Sequence, residues 1–154
     1  MTASYALTFE FFFSNFQGKM AASYGYGETR QDLPLSNPAM CQLTKDLVDR
    51  VINRPDSEPF HEPVRPIEDG CADYTDVIRE PMDLGSIRQR LDDGYPGYVT
   101  LGDVAADVVL VFKNAMTYNG EKSQIYENAA ESLKDFEADL AQTVLDVCVK
   151  ASIR

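Results

Sequence analysis

Phe112-Lys113-Asn114-Ala115-Met116-Thr117-Tyr118-Asn119-Gly120 closes an apolar helical pattern that runs from Val104, and Gly120 stops it. Asn119 therefore falls at or just past a helix C-terminus, where a polar residue that tolerates non-helical angles is at home. Two readings of it compete. Its side chain can cap the helix by satisfying orphan carbonyls. Alternatively, its carboxamide is aimed into a pocket, where an NH2 and a C=O can read a ligand amide. The local spacing does not decide between them.

Upstream, Thr100 caps the helix whose stripe is Val104, Val108, Val111, Phe112 and Ala115. Downstream, Ser123 caps a longer helix with the stripe Tyr126, Ala129, Leu133, Phe136, Leu140, Val144 and Val147. Before Thr100, a short helix from Met82 to Leu91 has Asp83 as its cap and carries Leu84, Ile87 and Leu91 on one face, and Asp93-Gly94 ends it. Further back, Ser36 or Asn37 can cap a helix with Pro38 in its first turn, and Met40, Leu43, Leu47, Val48, Val51 and Ile52 form its apolar face. Pro55 stops that helix. Five prolines (Pro55, Pro59, Pro63, Pro66, Pro81) then interrupt about 30 residues without a sustained period, a length of connection that is usually functional. Within it, residues 73–78 can form one helical turn. The reading is all-α: helices near 37–54, 83–93, 100–118 and 123–150, with 55–82 irregular, packed as an antiparallel four-helix bundle.

Composition fits one soluble domain. A chain of 154 residues with 44% hydrophobic and 25% charged residues can bury about two-thirds of its unfolded surface. No run approaches the roughly 18 apolar residues of a membrane span. The net charge of −11 argues against direct nucleic-acid binding and favours a basic partner. The charge is concentrated: between Pro55 and Gly85, nine acids face only Arg65 and Arg79, a balance of −7. Cys41, Cys71 and Cys148 are odd in number and widely spaced, and with the single His61 they form no standard metal set. They read as reduced thiols, Cys41 and Cys148 half-buried on helices, and no cofactor is expected. Residues 1–34 are expected to be an aromatic-rich leader, poorly structured or docked on the domain formed by 35–154: five of the eight Phe precede residue 17, and Tyr24-Gly25-Tyr26-Gly27 reads as turn.

With its motifs in order (a long helix, then Pro59-Phe60, Pro63-Val64, Asp73-Tyr74, Val77-Ile78, Pro81-Met82-Asp83-Leu84, and finally Met116-Thr117-Tyr118-Asn119), the chain resembles a bromodomain over about residues 36–150. The resemblance implies a left-handed four-helix bundle whose long Pro-rich loop, between the first two helices, meets the Asn119 loop at one end and lines a pocket for acetylated lysine. It carries Asn119 over as the donor to the acetyl carbonyl and Tyr74 as the holder of a bridging water. Pro59, Phe60, Val64 and Ala115 belong to the wall, Tyr118 is the aromatic before the asparagine, and Ile125 is the gatekeeper. Asp69 and Cys71 stand where the family commonly has apolar residues, and Glu58 stands where it often has tryptophan. A wider, more polar mouth follows. On this resemblance the pocket reading of Asn119 displaces the capping one.

Such a pocket makes chemical sense. Acetylation removes the lysine charge and leaves an amide, which can leave water if one good donor meets its oxygen. The resemblance thus implies a nuclear, monomeric, non-catalytic reader of acetylated lysine on a basic tail, a histone tail foremost, linked to chromatin or transcription regulation. No nucleophile with a base, GxSxG, P-loop or HExxH supports an enzyme. The rival is a bundle of the same fold that serves as an interaction scaffold with an idle pocket.

Overall fold

Asn37 starts the first helix, α1 (Pro38–Ile52), by accepting from the amides of Ala39 at 2.9 Å and Met40 at 3.4 Å. Its apolar face buries Met40, Leu47, Val48 and Val51, with Leu43 and Ile52 half-buried at the edge. The computed structural model describes residues 33–94 and 97–152. The aromatic leader, apart from its last two residues, and the Tyr95-Pro96 part of the link lie outside the described residues.

The connection after α1 contains a 3-10 turn at Glu58–Phe60 and a four-residue helix, α2 (Tyr74–Val77), at the site expected for a single turn. Asp83 then caps α3 (Leu84–Asp93), its carboxylate accepting from the Ser86 amide at 2.8 Å and the Ser86 hydroxyl at 2.6 Å. Thr100 and Asp103 form a reciprocal capping box at the start of α4 (Leu101–Tyr118). Ser123 accepts from the Tyr126 amide at 3.1 Å and opens α5 (Gln124–Ser152). Among the described residues, the β structure amounts to an isolated bridge between Pro34 and Thr100, beside the Leu35 N–H that donates to the Val99 carbonyl at 2.9 Å.

The stripes meet in one core. Phe112 of α4 and Phe136 of α5 are fully buried, as are Leu47 and Val48 of α1, Leu84 and Ile87 of α3, and Val104 and Val108 of α4. Truncating either phenylalanine to alanine costs about 3–5 kcal/mol, because removed contacts and a residual cavity add together. Exposed and half-exposed ion pairs lace the bundle exterior: Arg50 with Asp139, Arg54 with Asp135, and Arg88 with both Asp49 and Asp92. They contribute little individually. The bundle's stability therefore resides in the apolar stripes, and this leaves its irregular connection free to build a site.

Candidate binding site

The long connection is tied to the helices at both of its ends. At its start, Ser57 is fully buried, with its hydroxyl 2.6 Å from the Ile52 carbonyl, 2.8 Å from the Arg54 carbonyl and 2.8 Å from His61 Nε2. His61 Nε2 also lies 2.9 Å from the Ile52 carbonyl. The last carbonyl of α1 and the first turn of the loop are thus closed off by one small network. The His61 carbonyl accepts in turn from the Gly85 N–H at 3.0 Å, which joins the loop's beginning to the start of α3. That approach requires glycine: a Cβ at position 85 would lie 2.4 Å from the same carbonyl oxygen.

At the other end, Asn114 of α4 is buried and its Nδ2 donates to the Glu80 carbonyl at 2.8 Å. Between these ties, residues 65–71 hold themselves. The Arg65 N–H donates to the Asp69 carboxylate at 2.7 Å, and the Asp69 and Cys71 amides return to the carbonyls of Arg65 and Pro66, each at 2.8 Å. Gly70 supplies the positive φ of +71° that the turn needs, and Ile67 at its tip is 90% exposed.

Asn119 is the C-cap of α4 in an extended conformation. Its backbone N–H reaches the Ala115 carbonyl at 3.0 Å, and its side-chain Nδ2 reaches the same carbonyl at 2.8 Å. The capping reading, set aside on the resemblance, therefore has to be restored. The two readings are compatible, because an amide group has two N–H donors and the cap uses one. The second N–H and the carbonyl oxygen remain.

Tyr74 and Tyr118 meet edge to face, with ring centroids 5.0 Å apart. Tyr74 is 6% exposed, and burial pushes its phenol pKa up, so it stands protonated as a donor. The Tyr118 hydroxyl donates to Asp73 Oδ1 at 2.6 Å. That bond, with some burial, pushes its pKa up to about 12. Cys71 is half-buried beside this pair, and its carbonyl accepts from the Tyr74 N–H at 2.9 Å. Val64 and Ile125 are 37% and 38% exposed, available as surface, and Pro59 is exposed next to Glu58 at the start of the 3-10 turn.

Two expected site residues also make contacts of their own within the fold. Phe60 is buried edge to face against Phe112 at 5.3 Å, which makes it core as much as wall. Asp69 is exposed, and its carboxylate accepts from the Arg65 amide, closing its own turn. The acids of the loop are also less idle than their count suggests. Asp83 is a buried cap, Asp73 holds Tyr118, Asp56 pairs with Arg54, and Glu62 and Glu68 share Arg65.

Asn114 and the Ser57–His61 network went unread in the sequence. Asn114 had a signal. A short polar side chain within an apolar helical stripe must find a partner when buried, and the partner fits the neighbouring irregular loop.

The family model for Bromodomain matches residues 44–131. An ankyrin repeat, bromo and BTB domain-containing protein of Dictyostelium discoideum is 42% identical over 98 residues, covering 64% of this chain and 12% of that protein. Transcription factor GTE1 of Arabidopsis thaliana is 46% identical over 79 residues, 51% of this chain and 20% of its own length. The SWR1 complex bromodomain subunit bdf1 of Schizosaccharomyces pombe is 46% identical over 61 residues, 40% of this chain and 10% of its own. The chain thus spans only a fraction of the length of these relatives, from 10% to 20%.

Proposed function

The chain belongs to the bromodomain family, and from that premise we propose that it is a non-catalytic reader of acetylated lysine on a basic tail, a histone tail foremost. The observation that carries this reading is the Asn119 carboxamide. One N–H is fixed on the Ala115 carbonyl, and the other stands at the end of α4, one residue past Tyr118, whose ring packs edge to face on the protonated Tyr74 at 5.0 Å. In this reading Asn119 donates to the acetyl carbonyl and Tyr74 donates to a water that bridges to it. Val64 and Ile125 flank the lysine stem, and Phe60 closes the floor through its packing on Phe112. Relatives named as a transcription factor and as a bromodomain subunit of the SWR1 complex support a nuclear role linked to transcription.

The test is a titration of acetylated and unmodified basic peptides into the parent protein and into Asn119→Ala. Losing the donor leaves the ligand carbonyl desolvated and unpaired, which costs about 1–3 kcal/mol, or roughly tenfold to a hundredfold in affinity. Thermal melts run alongside separate the two uses of the side chain: the lost cap lowers stability modestly, while the lost donor removes binding. Equal binding by Asn119→Ala overturns the assignment.

A further inference from the structure

We propose that Asp73 and Tyr118 are a positioning pair that sets the spacing between Tyr74 and Asn119 and thereby the affinity for acetylated lysine; the inference rests on the reading above. The Tyr118 hydroxyl donates to Asp73 Oδ1 at 2.6 Å across 45 positions of sequence. Each partner is the immediate chain neighbour of a proposed contact residue, Asp73 of Tyr74 and Tyr118 of Asn119. One bond between side chains therefore links the two backbone segments that must present a water-holding phenol and a carboxamide to one ligand amide.

Three features single this bond out from ordinary surface contacts. Asp73 occupies the N-cap position of α2 but makes no side-chain cap bond, so its carboxylate is given to Tyr118 instead. The Tyr118 ring is independently located by its edge contact with Tyr74, so the hydroxyl adds registration to an orientation that packing already supplies. The bond is short and assisted by a charge, the stronger class of hydrogen bond. Among the described residues, it is the side-chain hydrogen bond that joins α2 and its cap to α4. Residues 65–71 close on themselves, and the Asn114 tie reaches the loop six residues beyond Tyr74, at Glu80. A displacement of a fraction of an ångström between donor groups is enough to weaken their joint hold on a ligand.

The experiment titrates the full chain and its variants with a peptide bearing one acetyl-lysine among lysines, followed by calorimetry and by amide shifts. Tyr118→Phe keeps the ring and removes only the donor; Asp73→Ala removes the acceptor, and Asp73→Asn keeps a neutral acceptor oxygen. Tyr118→Phe and Asp73→Ala should each weaken binding roughly threefold to tenfold, and the double variant should be no weaker than either alone, as expected for two residues acting through one bond. Asp73→Asn should recover most of the affinity lost in Asp73→Ala. Without ligand, the Asn119 and Tyr74 amide signals should move in Tyr118→Phe. Parental affinity in Tyr118→Phe, or losses that multiply in the double variant, overturns the pair. Should Tyr118→Phe fail to fold, the two Asp73 variants, with Tyr118 intact, decide the same point. A folded parent that ignores the acetylated peptide overturns the reader assignment, and the pair's role falls with it; a parent that binds beside an equally avid Tyr118→Phe overturns only the pair.

Discussion

The two parts of the 53–83 connection are built from opposite materials. Its base is pinned by buried groups: Ser57 is hydrogen-bonded to His61, the Glu80 carbonyl is held by Asn114 of α4, and Asp83 is a cap with little exposure. Its outer turn, residues 65–71, is exposed almost throughout, with Ile67 projecting and Arg65 shared among carboxylates. The difference lies in what a broken bond leaves behind. At the base, it leaves a polar group with no water to turn to; at the turn, water replaces the lost partner at once. Base residues therefore govern whether the loop exists in this form, and outer residues govern only what approaches it.

The largest effect belongs at the base. Gly85→Ala forces a Cβ to within 2.4 Å of the His61 carbonyl oxygen, which is backbone and has no rotamer to yield. It should destabilise the fold by about 2–3 kcal/mol, a clear drop in thermal midpoint. An unchanged melt would mean that the join between the loop's start and α3 is loose.

Asn114→Ala should come next. It strips the Glu80 carbonyl of its partner and leaves a small void beside α4, a loss of about 1–3 kcal/mol that denaturant titration would read. An outer-turn variant of similar polarity is the contrast. Glu68→Lys replaces an exposed carboxylate that sits 3.1 Å from Arg65, both side chains being more than 60% exposed. It should leave stability within about 0.5 kcal/mol of the parent. It should weaken a lysine-rich acetylated peptide only modestly, and that effect should fade between about 50 and 200 mM salt as the Debye length shortens. A large stability loss in Glu68→Lys would erase the contrast between base and turn.

The smallest effect is spectroscopic and lies between the two regions. The Tyr118 phenol is raised from 10.0 to about 12, first by its bond to Asp73. A group with a raised folded value supports the fold fully below its unfolded value, and that support is lost as pH climbs through the folded one. The Asp73–Tyr118 bond is thus intact at every physiological pH, and the support it gives the fold declines between about 10 and 12. Asp73→Asn should move one tyrosine of the ultraviolet phenolate titration downward; an unmoved curve would mean that the carboxylate does not set that value.

The bundle was legible in the sequence because its signals are local. Asn37, Asp83, Thr100 and Ser123 cap within four residues of the apolar stripes they introduce, and the observed helices begin and end within two residues of expectation. The candidate site was legible only through motif order, and its geometry less so. Nothing in the spacing of Phe60 shows that it turns onto Phe112, 52 positions away, or that Asn114 reaches back to Glu80. Those pairings arise once the stripes have assembled, and periodicity carries no information about which loop residue will face which helix. Asn119 is the instructive case. Capping and ligand recognition compete on local spacing alone, whereas a carboxamide has enough donors for both.

That double use has a thermodynamic consequence for binding. Immobilising a free side chain when a ligand arrives typically costs about 0.5–1.5 kcal/mol in lost rotamer entropy. The Asn119 carboxamide has already given up that freedom during folding, because the Ala115 carbonyl holds it with or without a ligand. On the proposed reading, the peptide meets a receptor group with no conformational search left to make. The rate of capture then depends on how quickly the tail finds the mouth, and the entropic penalty of recognition falls almost wholly on the tail.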